Sequence, residues 1–254
     1  MLTAFDYLTT FGAGLLAGAV NSVAGGGTLI SFPVLTAIGI PPVAANITNS
    51  VALCPGFVGG ILTQRRDLTG QKALMRTLLP AAAFGGIVGG VLLLHSGDRA
   101  FRAIVPFLIL AASALLAAQD HVRRWMTRRG GGTSHLSLEG ARAAVPVAIA
   151  AVYGGYFGAG LGVILLATLG VFIDDSFTRL NALKQTLAFS ANLGAALFFL
   201  FSGKVLWDVA LIMATGAIIG GSIGGRFASR VSPRALRRVV VALGLVVGLV
   251  YLVK

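Results

Sequence analysis

The chain contains seven long windows without a single charged side chain. The longest runs from Tyr7 to Gln64, and the last from Val239 to Val253. A bilayer core of about 30 Å is crossed by roughly 20 mostly apolar residues in a helix, so these windows predict several membrane-spanning helices. Only 11% of the 254 residues are charged, whereas an ordinary soluble domain has about 25%. The sequence therefore predicts an all-α polytopic membrane protein and excludes a soluble enzyme, a nucleic-acid-binding protein and a secreted domain.

Positive charge is concentrated in the short loops between the apolar windows. The formal net charge is +12, and loops rich in Lys and Arg mark the cytoplasmic side of a membrane protein. The charge therefore indicates membrane topology rather than nucleic-acid binding. Cys54, the one cysteine, lies inside an apolar window, which excludes an internal disulfide and a cysteine-based metal site. The first window is far longer than the core of a signal peptide, so we expect it to be a mature membrane segment.

The sequence repeats itself with an offset of 135 positions. Gly85-Gly86-x-x-Gly89-Gly90, for example, recurs as Gly220-Gly221-x-x-Gly224-Gly225. Chance similarity in a chain rich in Gly and Ala would not keep one offset through the whole repeat, so the pattern indicates a tandem duplication. We predict three parts, which are repeat 1 over 1–118, a flexible cytoplasmic linker over 119–142, and repeat 2 over 143–254.

The charges of equivalent loops predict that the two repeats are inverted. Residues 64–76 contain four basic side chains, whereas the equivalent 199–211 contain only Lys204. The opposite holds for 95–102 and its equivalent region 226–238, which contains five arginines. Since Lys and Arg collect on the cytoplasmic side, we expect the same fold to be inserted twice in opposite orientations, with both termini in the periplasm. This topology places three segments in the cytoplasm, namely 64–76, 119–142 and 226–238.

Each repeat is predicted to contain a broken or re-entrant helical hairpin followed by three transmembrane helices. In repeat 1, segments near 8–23 and 28–40 flank a glycine turn, and both are too short for an ordinary span. Non-helical backbone at membrane depth persists only where protein or a water-filled cavity satisfies its polar groups. Short segments interrupted by Gly and Pro at matching places of two repeats indicate a transport site. The three helices that follow in repeat 1 are expected near 43–63, 73–95 and 101–118.

Polar side chains within the uncharged windows are the candidates for substrate binding. On a helix, Asn46, Asn49 and Ser50 stand at i, i+3 and i+4 and therefore share one face. The equivalent face of repeat 2 carries an ionisable side chain, Lys184, at the edge of an uncharged window, which is by default a functional hypothesis. The alternative is a lysine that snorkels to the interface. The predicted substrate-binding residues are Asn21, Gly25, Gly26, Gly27, Thr28, Asn46, Asn49, Ser50, Gly160, Gly162, Asn181, Lys184 and Gln185.

The glycines are included among these candidates because of the backbone N–H groups near them. Gly25-Gly26-Gly27 and Gly160-x-Gly162 precede short helical segments, whose N-terminal N–H groups are a neutral means of holding an anion. The alternative is close helix packing at small residues, which explains Gly85-Gly86-x-x-Gly89-Gly90 better. Backbone amides, side-chain amides, hydroxyls and one lysine together favour a small anion as the substrate.

No proton relay, metal site or cofactor is indicated, because all eight carboxylates and all three histidines fall in predicted loops or at segment ends. Asp174-Asp175 lacks the further spaced carboxylates that a magnesium-dependent prenyltransfer site requires. We therefore do not expect a membrane-embedded enzyme.

Three motifs carry a resemblance to a known family. They are Asn21-Ser-Val-Ala-Gly-Gly-Gly-Thr-Leu-Ile-Ser-Phe-Pro33, Pro41-Pro42-x-Ala-Ala-Asn46 and Gly158-Ala-Gly-x-Gly162. They resemble the sulfite exporter TauE/SafE family, and the similarity extends over nearly the whole chain. It implies a multi-pass inner-membrane transporter that exports small sulfur-containing anions such as sulfite, thiosulfate or organosulfonates. Repeat 2 departs from repeat 1 in having Leu161 for Gly26 and Thr168 for Pro33, so we expect its hairpin to be less sharply turned and less involved in binding.

Two alternatives to this function stay open at this point. One is a carrier for a carboxylate or another small organic anion. The other is a non-transporting membrane subunit of a sulfur-metabolism complex. Anion flux into liposomes that contain only this protein separates a transporter from an accessory subunit.

Overall fold

The computed structural model describes residues 2–23, 26–129, 136–227 and 233–253, and within these ranges the regular structure is helical throughout. The elements in chain order are α1 (Ala4–Val23), α2 (Thr28–Ala37), α3 (Pro42–Leu53), α4 (Gly56–Thr63), a 3₁₀ turn (Arg65–Leu68), α5 (Lys72–Arg129), α6 (Leu136–Tyr156), α7 (Leu161–Phe172), α8 (Phe177–Leu200), α9 (Trp207–Phe227) and α10 (Pro233–Val253). The all-α fold class is confirmed.

Several helices are long and apolar enough to cross a membrane. By length and composition, the described residues contain five such stretches, Pro42–Leu62, Lys72–Trp125, Phe177–Leu200, Trp207–Gly224 and Ala235–Val253. The stretch in α5 is divided at Gly97, whose φ of 68° and ψ of 166° are non-helical and suit a residue without a β-carbon. The limbs on either side, 72–96 and 98–129, each exceed the roughly 20 residues that a bilayer core requires. The chain is therefore a multi-pass membrane protein.

The first helix is longer than the sequence predicted. It begins at Ala4, because Thr3 and Asp6 cap its start reciprocally. The Thr3 N–H donates to Asp6 Oδ2 at 2.7 Å, and the Asp6 N–H donates to Thr3 Oγ1 at 3.3 Å. With 20 residues, α1 is about 30 Å long, so it is longer than expected, although it is not among the five stretches that are both long and apolar enough to cross a membrane. Its partner in the hairpin, α2, is indeed short, at 10 residues.

The order of elements in the first half recurs in the second half with the same offset. The equivalent pairs are α1 and α6, α2 and α7, α3–α4 and α8, the first limb of α5 and α9, and the second limb of α5 and α10. One pair differs, because α3 and α4 are separated at Cys54-Pro55 whereas α8 is continuous. Proline has no N–H for the helical ladder, and Ser190 stands at the equivalent position of α8. The helix predicted over 43–63 is therefore present as one membrane-long stretch, with its hydrogen bonding interrupted at Cys54-Pro55, where the backbone keeps helical φ and ψ values.

Close glycine contacts join the two repeats. A β-carbon added at Gly85 in α5 would lie 2.3 Å from the carbonyl oxygen of Ala148 in α6. At the equivalent Gly220 in α9 it would lie 1.9 Å from the carbonyl oxygen of Leu15 in α1. Small residues let membrane helices approach closely, so each repeat packs its fourth segment against the first segment of the other repeat. The interpretation of the Gly-Gly-x-x-Gly-Gly motif as helix packing is confirmed.

The predicted linker is largely helical where it is described. The second limb of α5 continues to Arg129, and α6 begins at Leu136, so much of 119–142 extends two membrane helices. Asp120 pairs with Arg237 of α10, and the Arg123 guanidinium lies 4.9 Å from the centre of the Phe177 ring. The expectation of a flexible stretch is wrong for these helical parts, and the glycine run 130–132 lies outside the described residues.

Candidate functional site

A central cavity of about 50 Å³ lies where the two hairpin turns meet α3 and α8. Most of the predicted site residues line it, namely Asn21, Gly26, Thr28, Asn49, Ser50, Gly160, Gly162, Lys184 and Gln185. The rest of its described wall is formed by Leu53, Phe57, Gly154, Phe157, Gly158, Leu161, Ala188 and Asn192. Both halves of the chain therefore contribute side chains to one cavity, and nine of the thirteen predicted binding residues line it.

The other predicted residues lie around this cavity without lining it. The Gly27 N–H donates to Asn21 Oδ1 at 2.7 Å, so this amide serves the turn and is not free for an anion. Asn46 is fully buried, and its Nδ2 donates to the Tyr156 carbonyl oxygen at 2.8 Å. Asn181 lies one helical turn before Lys184 and accepts a hydrogen bond from its Nζ. Gly25 lies outside the described residues.

Lys184 is the one charged side chain among the described residues of the cavity wall. It is only 8% exposed, and its Nζ donates to Asn181 Oδ1 at 2.9 Å. Gly162 leaves space beside it, since a β-carbon there would lie 3.8 Å from Nζ. The lysine thus lies within the bundle and contributes to the cavity wall, and its ammonium group bonds one turn back towards the start of α8. A buried cation with space beside it favours an anion.

Asn181 joins this lysine to the end of the bundle that holds residues 64–71. Its Nδ2 donates to Gln64 Oε1 at 2.9 Å, and Gln64 directly follows α4. Further out on the same side, Arg179 binds the Asp175 carboxylate at 2.8 Å and donates to the Thr69 carbonyl oxygen at 2.8 Å. Polar groups therefore continue from the cavity to this end of the molecule.

The opposite side of the cavity is closed by aromatic rings. Phe157 lines the cavity, and its ring centre lies 5.5 Å from that of Phe32 and 6.3 Å from that of Phe101. Phe101 also contacts Tyr156, with ring centres 5.6 Å apart. The three phenylalanines are almost completely buried, and Phe101 belongs to the 95–102 segment, so the cluster connects the cavity wall to that end of the molecule. These rings offer no polar group that could replace the water around an anion.

The second hairpin turn is as sharp as the first. Gly158 and Gly160 have φ values of 79° and 75°, and Gly26 has 91°. Gly158, Gly160, Leu161 and Gly162 all contribute to the cavity. The expectation of a less sharply turned second hairpin is therefore wrong, whereas its share in substrate binding stays a prediction. Its glycines supply the turn, and Leu161 only begins α7.

Sequence reasoning missed several residues of the wall, of which Asn192 is the most informative. Its Nδ2 donates to the Ser50 carbonyl oxygen at 3.0 Å, just before the break between α3 and α4. Asn192 is equivalent to Phe57, and both line the cavity. The available signal was an asparagine in the middle of an uncharged window.

Metal-ligating side chains do not gather in the described part of the chain, where no group of three or more His, Cys, Asp or Glu lies together. The polar side chains that the cavity wall offers are its amides, its hydroxyls and Lys184.

A small cavity lined by polar and apolar side chains, where two helical hairpin turns meet within a bundle of membrane-spanning helices, is the arrangement of a membrane transporter. Residues 10–251 match the family described as Sulfite exporter TauE/SafE. The chain belongs to this family, as the sequence motifs indicated.

Curated relatives agree with this assignment. The chain is 30% identical to "Probable membrane transporter protein ORF9" of Sinorhizobium sp, over 83% of this chain and 78% of that one. It is 28% identical to "Probable membrane transporter protein" of Haemophilus influenzae, over 84% and 81%. It is 24% identical to "Probable membrane transporter protein YfcA" of Escherichia coli K12, over 83% and 76%. No solved structure matches the chain. The protein is thus a multi-pass membrane transporter of the TauE/SafE type.

Proposed function

We propose that the protein exports a small sulfur-containing oxyanion, such as sulfite or thiosulfate, across the cell inner membrane. The observation that carries this proposal is Lys184, a buried cation that faces a cavity whose described wall has no carboxylate. The family name supplies the sulfur chemistry. The lysine and the surrounding amides supply the means of holding an anion.

The size of the cavity supports a small substrate. A buried water needs about 10–15 Å³ of such space, so about 50 Å³ holds on the order of four waters. A sulfite or thiosulfate ion fits this space better than a long organosulfonate does. Side-chain amides from Asn49 and Gln185 complete a set of neutral donors around the lysine.

We further propose that the cytoplasmic entrance lies at residues 64–71. The loop charges favour a cytoplasmic position for this end, and the hydrogen-bonded series Lys184–Asn181–Gln64 connects it with the cavity. The phenylalanines on the other side separate the cavity from the periplasm in this conformation. Transport then requires that these rings move apart while the polar side closes, as in alternating access between two repeats.

The test is radiolabelled anion flux in liposomes that contain only this protein. We expect uptake of labelled sulfite that unlabelled thiosulfate inhibits, and uptake of labelled thiosulfate that unlabelled sulfite inhibits. Long organosulfonates and carboxylates should inhibit either uptake only weakly. Preferential uptake of a carboxylate would identify a carrier of organic acids. Absence of flux for every anion, in a preparation shown to be folded by thermal unfolding, would favour a non-transporting subunit.

A further inference from the structure

Two neighbouring cavities at the 95–102 end of the molecule share part of their walls. The first, called here the charged cavity, has a volume of about 590 Å³ and includes Asp98, Arg99 and Arg102 in its wall. The second, called the apolar groove, has about 610 Å³ and is formed largely by apolar side chains of α2, α10 and the turn after α2. Arg102 and Tyr251 belong to both walls. A charged compartment is therefore continuous with an apolar one.

This pair of cavities lies at the end of membrane-spanning helices. α10 ends at Val253 and the second limb of α5 begins after Gly97, so both cavities are at the depth where Tyr and Arg anchor proteins to the membrane interface. The groove is open towards the bilayer, since Val246 and Val250 of its wall are exposed. Tyr251 is held in the wall by a hydrogen bond between its hydroxyl and that of Thr36.

We propose that this surface binds an anionic phospholipid, with its phosphate at Arg99 and Arg102 and an acyl chain in the apolar groove. Two arginines outnumber the one carboxylate, Asp98, in the charged cavity. That carboxylate also accepts a hydrogen bond of 3.0 Å from the Val43 N–H at the start of α3, which directs it towards the protein. The site thus combines charge for a phosphate with apolar length for a chain, the two parts of a lipid.

Such a lipid would contact the hairpin that forms the transport site. Pro33, Thr36 and Ala37 of α2 line the groove, and Thr28 at the other end of the same short helix lines the central cavity. A ligand that binds only the folded protein stabilises it by mass action. The lipid is therefore expected to stabilise the folded position of α2, whichever anion is transported.

The first experiment is native mass spectrometry of the full chain in detergent. Phosphatidylglycerol and phosphatidylcholine with identical acyl chains are added in turn, and we expect tighter binding of phosphatidylglycerol. Arg102→Gln should lower the phosphatidylglycerol affinity about fivefold, the effect of losing one exposed ion pair with the phosphate. Arg66→Gln, on an exposed loop near the opposite end, is the matched control and should leave this affinity unchanged.

A second variant tests the groove separately from the charge. Val250→Trp fills the apolar groove and should weaken binding of both lipids, whereas Arg102→Gln should weaken that of phosphatidylglycerol alone. Equal affinity for the two lipids, or equal effects of Arg102→Gln and Arg66→Gln, would overturn the proposal. So would complete displacement of the lipid by soluble glycerol phosphate, since that result identifies a free phosphate site. If Arg102→Gln does not fold, Arg99→Gln takes its place.

Discussion

Asn46 and Asn181 occupy equivalent positions in the two repeats, but only Asn181 supports a charged side chain. Its Oδ1 accepts a hydrogen bond from Lys184 Nζ at 2.9 Å, and its Nδ2 donates to Gln64. Asn46 instead donates to the carbonyl oxygen of Tyr156, at the C-terminal end of α6. The asparagine of repeat 2 thus orients the Lys184 ammonium group, whereas the equivalent asparagine of repeat 1 joins α3 to the end of α6.

Replacing Lys184 with Gln should weaken anion binding more than tenfold while the protein stays folded. Truncating one partner of a desolvated charged pair costs about 2–5 kcal/mol, and about 1.4 kcal/mol already corresponds to a factor of ten. Lys184→Arg keeps the charge and should lose less. Calorimetric titration with thiosulfate measures the affinity.

Lys204→Gln is the matched control for this change, since Lys204 is exposed in the loop between α8 and α9. It should bind thiosulfate as the parent protein does. If folded Lys184→Gln also binds as tightly as the parent, the lysine is not part of the site and binding must depend on the amides and glycine turns.

Asn181→Ala should weaken anion binding only indirectly, because the Lys184 ammonium group loses the hydrogen bond that orients it. The expected loss is smaller than that of Lys184→Gln, because the ammonium group remains but is no longer held. A double-mutant cycle checks this, since Asn181→Ala should cause little further loss in a Lys184→Gln background. Additive losses would mean that Asn181 acts on the anion by another route.

Asn46→Ala is the structural counterpart of that experiment. It removes one buried hydrogen bond, worth about 1 kcal/mol, and should lower the melting temperature while binding changes little. A binding loss as large as that of Asn181→Ala would contradict the division of roles between the two asparagines.

The helical bundle and most of the predicted residues that line its cavity could be identified from the sequence, because both depend on local patterns. Uncharged windows identify the spans, and one constant offset identifies equivalent segments. The interruption between α3 and α4 was not predicted. It depends on Pro55, which lies inside an apolar window, and such a window also suits a continuous helix. The extra turn at the start of α1 was missed because it depends on the caps formed by Thr3 and Asp6.

The full composition of the wall could not be predicted, because it depends on how the helices rotate against each other. Asn192 and Phe157 reach the cavity only through such packing. Asn46 illustrates the converse case, since it shares a helix face with Asn49 and still bonds to α6 rather than to the cavity.

Gly86→Ala should destabilise the protein strongly, whereas Gly12→Ala should be neutral or slightly stabilising. An added β-carbon at Gly86 would lie 2.0 Å from the carbonyl oxygen of Ala191, but at Gly12 it would meet nothing within 4 Å. Overpacking typically costs about 1–3 kcal/mol, while an exposed helical Gly→Ala change gains roughly 0.5–1 kcal/mol. Thermal unfolding in detergent compares the two. Equal melting temperatures would contradict the close contact between α5 and α8.

Transport should depend on the membrane potential and not on a pH gradient. The described wall of the cavity has no carboxylate to carry a proton, and an interior-negative potential drives an anion outward with about 2.3 kcal/mol per charge per 100 mV. In proteoliposomes with the potential clamped by potassium and valinomycin, removing the pH gradient should leave the flux of a strong-acid anion such as thiosulfate unchanged. A collapse of that flux would show proton coupling.

Residues 69 and 204 should lie on opposite sides of the membrane. They are related by the offset of the repeats, and both Thr69 and Lys204 are exposed in loops. Parallel repeats would place them on the same side, whereas inverted repeats separate them. The positive-inside pattern places Thr69 in the cytoplasm.

After Cys54→Ser, a single cysteine is introduced at either position and labelled in intact spheroplasts with a membrane-impermeant thiol reagent. The cysteine at 204 should react at once, and the cysteine at 69 only after the membrane is opened. A cysteine at Thr3, predicted to be periplasmic, serves as the positive control. Labelling of 69 and 204 from the same side would refute the inverted arrangement.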